Sequence, residues 1–352
     1  MWPYFILLSL PSFLALSRLK YTGRGVYLVV FIAYVFFVGF RDEVGPDWFN
    51  YLSNHERLAG EPLVSVFDQS EPLSYLLFWF SVNSGYEMLI SNIGAAAILM
   101  IGVLAFARRT ANPWLAVIAA TPYLIIAFGM SGIRQAMGVG VFLLVLSQWE
   151  KSSMVRRSLG VLIAALFHTS TLFGGLFVIY DLKMRPALKI IIGTVFAIVG
   201  FFLVQRSDTF SQGLAVYQKR YFTADSGQAS SIGSMFHIGL ILLPAIVGIR
   251  YRKRLAPFVH NRSLLALGIV FSLALLPLNS ISTTVASRLT LLMYFVPMMV
   301  YPALSEAFGS QNRASMTLAI VVAHFVILAA WLLFANNSMT HIPYRNIVFG
   351  TL

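Results

Sequence analysis

Eleven apolar runs of about 16–22 residues follow one another along this chain. They lie at 2–17, 26–40, 86–107, 113–130, 135–149, 158–180, 187–204, 233–249, 263–280, 288–303 and 316–335. Each is near the ~20 residues that carry a helix across a hydrocarbon core. A backbone in lipid has to satisfy its own polar groups, which leaves only helices and closed barrels. Barrel strands would appear as short alternating segments, and these runs are continuous. The expected fold is therefore all-α: a polytopic integral membrane protein, one transmembrane domain over residues 1–352. A composition 58% hydrophobic and 11% charged excludes an ordinary soluble domain.

The few charges set the orientation. Lys and Arg gather at 18–24, 108–109, 151–157, 183–189 and 250–262, with Arg313 later. If each cluster faces the cytoplasm, that side holds 17 Lys/Arg against Glu150, Asp181 and Glu306, and the other holds 8 Lys/Arg against ten acids. Such a split is the positive-inside bias, and it accounts for the whole net charge of +12 without invoking nucleic acid. The first run lacks a basic leader, contains Pro3 and Pro11, and is followed by Arg18, Lys20 and Arg24. It reads as a first span with its N-terminus outside. Both chain ends are then expected on the outer side, with outer loops at 41–85 and 205–232. There is no Cys, hence no disulfide and no thiolate ligand or nucleophile.

One run does not behave as a span. Residues 158–180 have basic flanks at both ends, so both ends want the same side. Two short helices, about 158–167 and 171–180, satisfy this if they enter and leave together around a turn at His168-Thr169-Ser170. That leaves about 10 full spans plus a broken half-helix hairpin. Broken backbone at such depth has to be buried in protein or line a wet cavity.

The remaining ionisable residues converge on the outer half. Arg41 closes the run 26–40, Arg134 sits in the outer turn 131–135, and Arg288 opens the run 288–303. Arg134 reads either as a phosphate clamp or as a snorkelling cation. His168 reads as a base or donor near neutrality, or as a satisfied structural imidazole. Glu71, ahead of Pro72 and a short apolar stretch, is either a helix-start carboxylate or a catalytic group. Asp47 and Tyr51 belong to a lid-like or interfacial segment, 41–51. Arg220 with Tyr217 and Tyr221, and Tyr344 in the tail, mark two further saccharide-contacting or interfacial regions. His168 and Ser170 are too few for zinc, and Asp42, Glu43 and Asp47 fit no cation loop, so no metal is expected.

In this order these residues resemble the EpsG family of Wzy-type polysaccharide polymerases. The resemblance rests on Arg41…Val44-Gly45…Asp47…Tyr51, Glu71-Pro72, Ile133-Arg134-Gln135, His168-Thr169-Ser170-Thr171-Leu172, Arg288 with Tyr294-Phe295, and Pro343-Tyr344. It runs over about residues 26–300, with a weaker tail. Gly138 departs from it, since the family more often carries Ala there. The resemblance implies a membrane glycosyltransferase without cofactor. It would act on undecaprenyl-diphosphate-linked oligosaccharides at the periplasmic face of the bacterial inner membrane, with a chain-length regulator protein as a candidate partner. On that basis Arg134, Arg288 and Arg41 would bind the diphosphate, and His168, Asp47 and Glu71 would be catalytic. Tyr51, Gln135, Ser170, Arg220 and Tyr344 would contact substrate. Two rivals remain: a flippase for lipid-linked saccharides, and a membrane acyltransferase. The first is weakened because no ionisable residue is expected in the inner half of a span.

Overall fold

The computed structural model describes residues 1–17, 23–182, 184–185, 187–196 and 227–351. The described residues are mostly helical. In order the helices are α1 (Trp2–Leu16), α2 (Arg24–Gly39), α3 (Trp48–Leu58), α4 (Pro72–Asn83), α5 (Leu89–Ala107), α6 (Pro113–Ala120), α7 (Ile133–Ser147), α8 (Met154–Phe167) and α9 (Gly175–Tyr180). They continue as α10 (Ala187–Phe196), α11 (Gly227–Arg250), α12 (Arg252–Leu255), α13 (Arg262–Ile281), α14 (Thr283–Leu292), α15 (Phe295–Ala307) and α16 (Ser310–Phe334). Among the described residues the only strands are Arg345–Asn346 and Gly350–Thr351, an antiparallel pair in the tail.

Helix α6 is the hub: every residue from Pro113 to Ala120 is buried. The Asn112 side chain caps it by accepting from Leu115 N, and Pro113 occupies the first turn, where a missing N–H costs nothing. Beyond it, Thr121–Phe128 widens into a π-helix, with Gly129 N donating to Leu124 O. Helices α1, α5, α15 and α16 pack around this hub, while α7 lies along α5 and is flanked by α8. Gly102 and Gly140 allow α5 and α7 to touch backbone to backbone, as small residues do in membrane bundles.

Fewer helices than the expected number of spans are long and apolar enough, among the described residues, to cross a membrane by themselves. Among the described residues three helices are long and apolar enough to cross: α5, α13 and α16. Two bent pairs, 235–250 with 252–258 at 88° and 285–292 with 295–307 at 46°, raise this to five. Several runs expected as full spans are helices of only 15–16 residues, namely α1, α2 and α7, and most of the second half of the expected run 187–204 lies outside the described residues. At ~1.5 Å per residue, a 15-residue helix reaches only ~23 Å of a ~30 Å core unless its ends extend it. The expected span 288–303 is broken at Met293–Tyr294, so Arg288 stands inside α14 rather than at a helix start.

The two ends of the bundle have distinct chemistry. At one end Arg109 bonds Gln148 (3.2 Å), His260 meets Glu150 (3.3 Å), and Arg157 pairs with Asp181, which also accepts from Trp149 Nε1. Three of the basic clusters therefore meet there. The Arg157–Asp181 pair also joins the start of α8 to the residue after α9. The segment 154–181 thus leaves this end and comes back to it.

The tail closes the opposite end. Tyr4 Oη donates to His341 O (2.6 Å), Asp42 N to Arg345 O (3.1 Å), Gly45 N to Thr340 O (3.0 Å) and Ile347 N to Phe40 O (2.9 Å). Side chains reinforce the join: Arg345 pairs with Glu43, and Tyr344 stacks on Phe37 with centroids 4.3 Å apart.

Ionisable side chains also occur inside the helices. His324, about midway along α16, is buried with its ring against Tyr301 and Nδ1 2.7 Å from Ile320 O. His237 in α11 faces the Tyr123 ring at 4.2 Å. The expectation drawn from Lys, Arg, Asp and Glu overlooked both, because histidine does not register in a charge count.

Candidate active site

The site begins where α8 stops. Its last residue is Phe167, and His168 turns extended (φ −156°, ψ 124°) before a tight 3₁₀ turn, Thr169–Gly174. That break frees backbone groups which must find partners at depth. They find them on α4. Ser74 Oγ donates to the Phe167 carbonyl (2.7 Å), while Thr169 N and Oγ1 both donate to Glu71 Oε1 (3.0 and 3.3 Å). Glu71 sits just before Pro72, at the N-cap of α4, which fixes its carboxylate at this junction.

Two partners share that carboxylate. His168 Nδ1 stands 2.6 Å from Oε1, and Arg134 Nη1 stands 2.8 Å from Oε2. Glu71 and His168 are nearly enclosed, with side chains 4% and 9% exposed, while Arg134 keeps 21%. The Arg134 guanidinium also lies over the Tyr51 and Tyr75 rings, at 5.9 and 5.7 Å. Arg134 is the second residue of α7, where the helix dipole disfavours a cation, and Glu71 offsets that.

Glu71 belongs to the 41–85 connector. Burial pushes its carboxyl up, but adjacent His168 and Arg134, with the hydrogen bonds from His168 and Thr169, pull it down further. The net result lies below the usual carboxylate range.

Two close approaches bring the other segments in. At Gly45, φ is +108°, and a Cβ would run into the Met130 carbonyl; a glycine is required for the connector to lie on the 130–131 turn. Two residues on, Asp47 accepts from Ser131 Oγ (2.9 Å). At Gly138 a Cβ would meet Thr171 Cγ2 at 2.7 Å, Ala164 O at 3.1 Å and His168 Cβ at 3.3 Å, so the broken segment rests on α7 itself. Finally Gln135 Nε2 donates to Arg288 O (2.8 Å), tying α14 to the start of α7.

Arg288 is exposed, and no hydrogen bond or ion pair of its side chain occurs among the described residues. Its charge nonetheless acts on His168. Glu71 and Arg134 neutralise one another, which leaves Arg288, among the described residues, as the uncompensated positive charge of the cluster. His168 Nε2 and Ser170 Oγ are buried there without a partner among the described residues.

The arrangement joins residues 71, 134, 168–170 and 288 from four separate stretches. A match to the EpsG family covers residues 25–346, nearly the whole chain. The chain belongs to the EpsG family. EpsG is a Wzy-type polysaccharide polymerase family, so the chemistry to be explained is the joining of saccharides. No curated protein and no solved structure matches this chain.

The EpsG chain gathers most of the residues singled out in its sequence, but not all. Glu71, Arg134, His168, Tyr51, Gln135, Ser170 and Arg288 meet in one place. Asp47 lies one step away, through Ser131. Arg41 and Tyr344 belong instead to the tail join. Arg41 is 1% exposed and donates to the Val38 and Val44 carbonyls, and Tyr344 is buried with its hydroxyl on Phe37 O. Arg220 and most of the loop 205–232 lie outside the described residues. Sequence reasoning missed Tyr75 and the role of Thr169. Tyr75 follows Glu71 by one helical turn, a spacing that would have placed it on the same face.

Proposed function

We propose that this EpsG protein lengthens polysaccharide at the outer face of the bacterial inner membrane. It transfers a saccharide from one undecaprenyl diphosphate to the non-reducing end of another lipid-linked unit. The observation that carries this reading is the exposed Arg288, unpaired among the described residues, beside a neutralised Glu71–Arg134 pair and an imidazole. As the glycosidic bond breaks, negative charge grows on the diphosphate oxygen. A guanidinium beside that oxygen lowers the barrier and grips phosphate in a fork. The acceptor hydroxyl has to lose a proton, and His168 stands next to the cation that would hold the leaving group. A single in-line displacement would invert the anomeric centre.

The test uses purified protein in detergent with lipid-linked repeat units extracted from cells lacking this polymerase. Wild type is expected to lengthen them. Arg288→Ala is expected to raise KM for the lipid-linked donor by about 10–100-fold, the loss of one charge-assisted pair. Movement of units between leaflets of a vesicle without bond formation would favour the flippase instead.

A further inference from the structure

Both oxygens of the Glu71 carboxylate face protein groups. Oε1 accepts both the amide and hydroxyl of Thr169 and lies 2.6 Å from His168 Nδ1, and Oε2 faces Arg134. A carboxylate offers about four acceptor sites, and the 4% exposure leaves no face for a substrate hydroxyl. Nitrogen and oxygen at 2.6 Å repel unless a proton lies between them. In a neutral imidazole that proton sits on Nδ1, and Nε2 keeps its lone pair. Neither ring nitrogen makes a hydrogen bond of good geometry among the described residues, but Nδ1 has the Glu71 carboxylate at ion-pair distance, whereas Nε2, like the hydroxyl of Ser170 two residues on, is buried with no such partner among them. Leaving such groups unpaired is unfavourable, which suits a site that a ligand completes.

We propose that Glu71 is a positioning residue that acts through His168, fixing the tautomer whose Nε2 takes the acceptor proton, and that Arg134 holds Glu71 rather than the diphosphate. This rests on the polymerase reading. In the step that follows, the acceptor hydroxyl gives its proton to Nε2. Its oxygen forms the new bond to the anomeric carbon. The bond from that carbon to the diphosphate oxygen breaks, the electron pair leaves with the lipid diphosphate beside Arg288, and the imidazolium later returns its proton to water. Arg134, lying over the Tyr51 and Tyr75 rings, keeps the Glu71 charge in place.

A double-mutant cycle on the purified full chain tests this, with the same extracted lipid-linked units as substrate. His168→Ala is expected to lower kcat by about 100-fold or more. Glu71→Gln should lower kcat about 10-fold or more with KM changed less than about 2-fold, and should cost less than about 2-fold further in the His168→Ala background. Arg134→Lys should restore most of the activity that Arg134→Ala loses. If Glu71→Gln does not fold, Glu71→Asp replaces it in the cycle, since it keeps the charge but withdraws the oxygen from Nδ1. Losses at 71 and 168 that multiply in an active enzyme, or a Glu71→Gln defect confined to KM, overturn the inference alone. Wild type that never lengthens the units overturns the polymerase reading and this inference with it.

Discussion

Glu71 shows what one side chain does here. It terminates a broken helix by accepting from Thr169, compensates a cation at a helix start and faces an imidazole. A carboxyl held below its unfolded pKa contributes stability that is complete above the unfolded value, ~4.3, and is lost as pH falls through the folded one. Glu71→Gln is therefore expected to lower stability by a constant amount from pH 8 to 5, with the gap to wild type closing only below about pH 4. Removing one partner of a fully buried pair costs about 3–5 kcal/mol; Arg134 keeps 21% exposure, so about 2 kcal/mol is expected. Thermal melts of the two proteins across pH measure it, and a gap that widens below pH 4 contradicts the ion-pair assignment. The Glu71-Pro72 pair was legible in the sequence as a helix-start carboxylate. Its partners were not, because they lie 63 to 98 residues away and only packing brings them close.

Elements meet at this site through glycines. The break at His168 was readable from the basic flanks of 158–180, since charge that must stay in water dictates which ends lie together. What the flanks do not say is where the turn comes to rest. Gly138 decides that by letting Thr171 and the Ala164 carbonyl approach α7. Gly138→Val should push the turn away and cost about 1–3 kcal/mol of overpacking strain, with polymer synthesis falling at unchanged expression. Wild-type polymer and an unchanged melting temperature would refute the contact. Gly45→Ala adds a Cβ at positive φ against the Met130 carbonyl. It should cost at least about 1 kcal/mol and release the 41–51 segment, read out as faster proteolysis there.

At the scale of the whole molecule, the basic clusters at one end and the Glu71 cluster with the tail at the other predict opposite accessibility. The chain has no native Cys, so single cysteines report cleanly. Cysteine at 47 or 345 is expected to react with an impermeant thiol reagent in intact spheroplasts, and cysteine at 109 or 260 only after permeabilisation. The reverse pattern would turn the site towards the cytoplasm and end the assignment to lipid-linked donors outside. By itself the sequence determined that the chain is helical and membrane-bound, which ends of the runs lie together, and which rare polar residues stand out, because hydrocarbon penalises every unpaired polar group. Tertiary structure alone decided which cations are spent and which is free. Arg41 goes to backbone carbonyls beside the tail, Arg134 to Glu71, and Arg288 is left open among the described residues. Ion pairing depends on distances of a few ångströms between residues far apart in sequence, and a one-dimensional pattern carries no record of those distances.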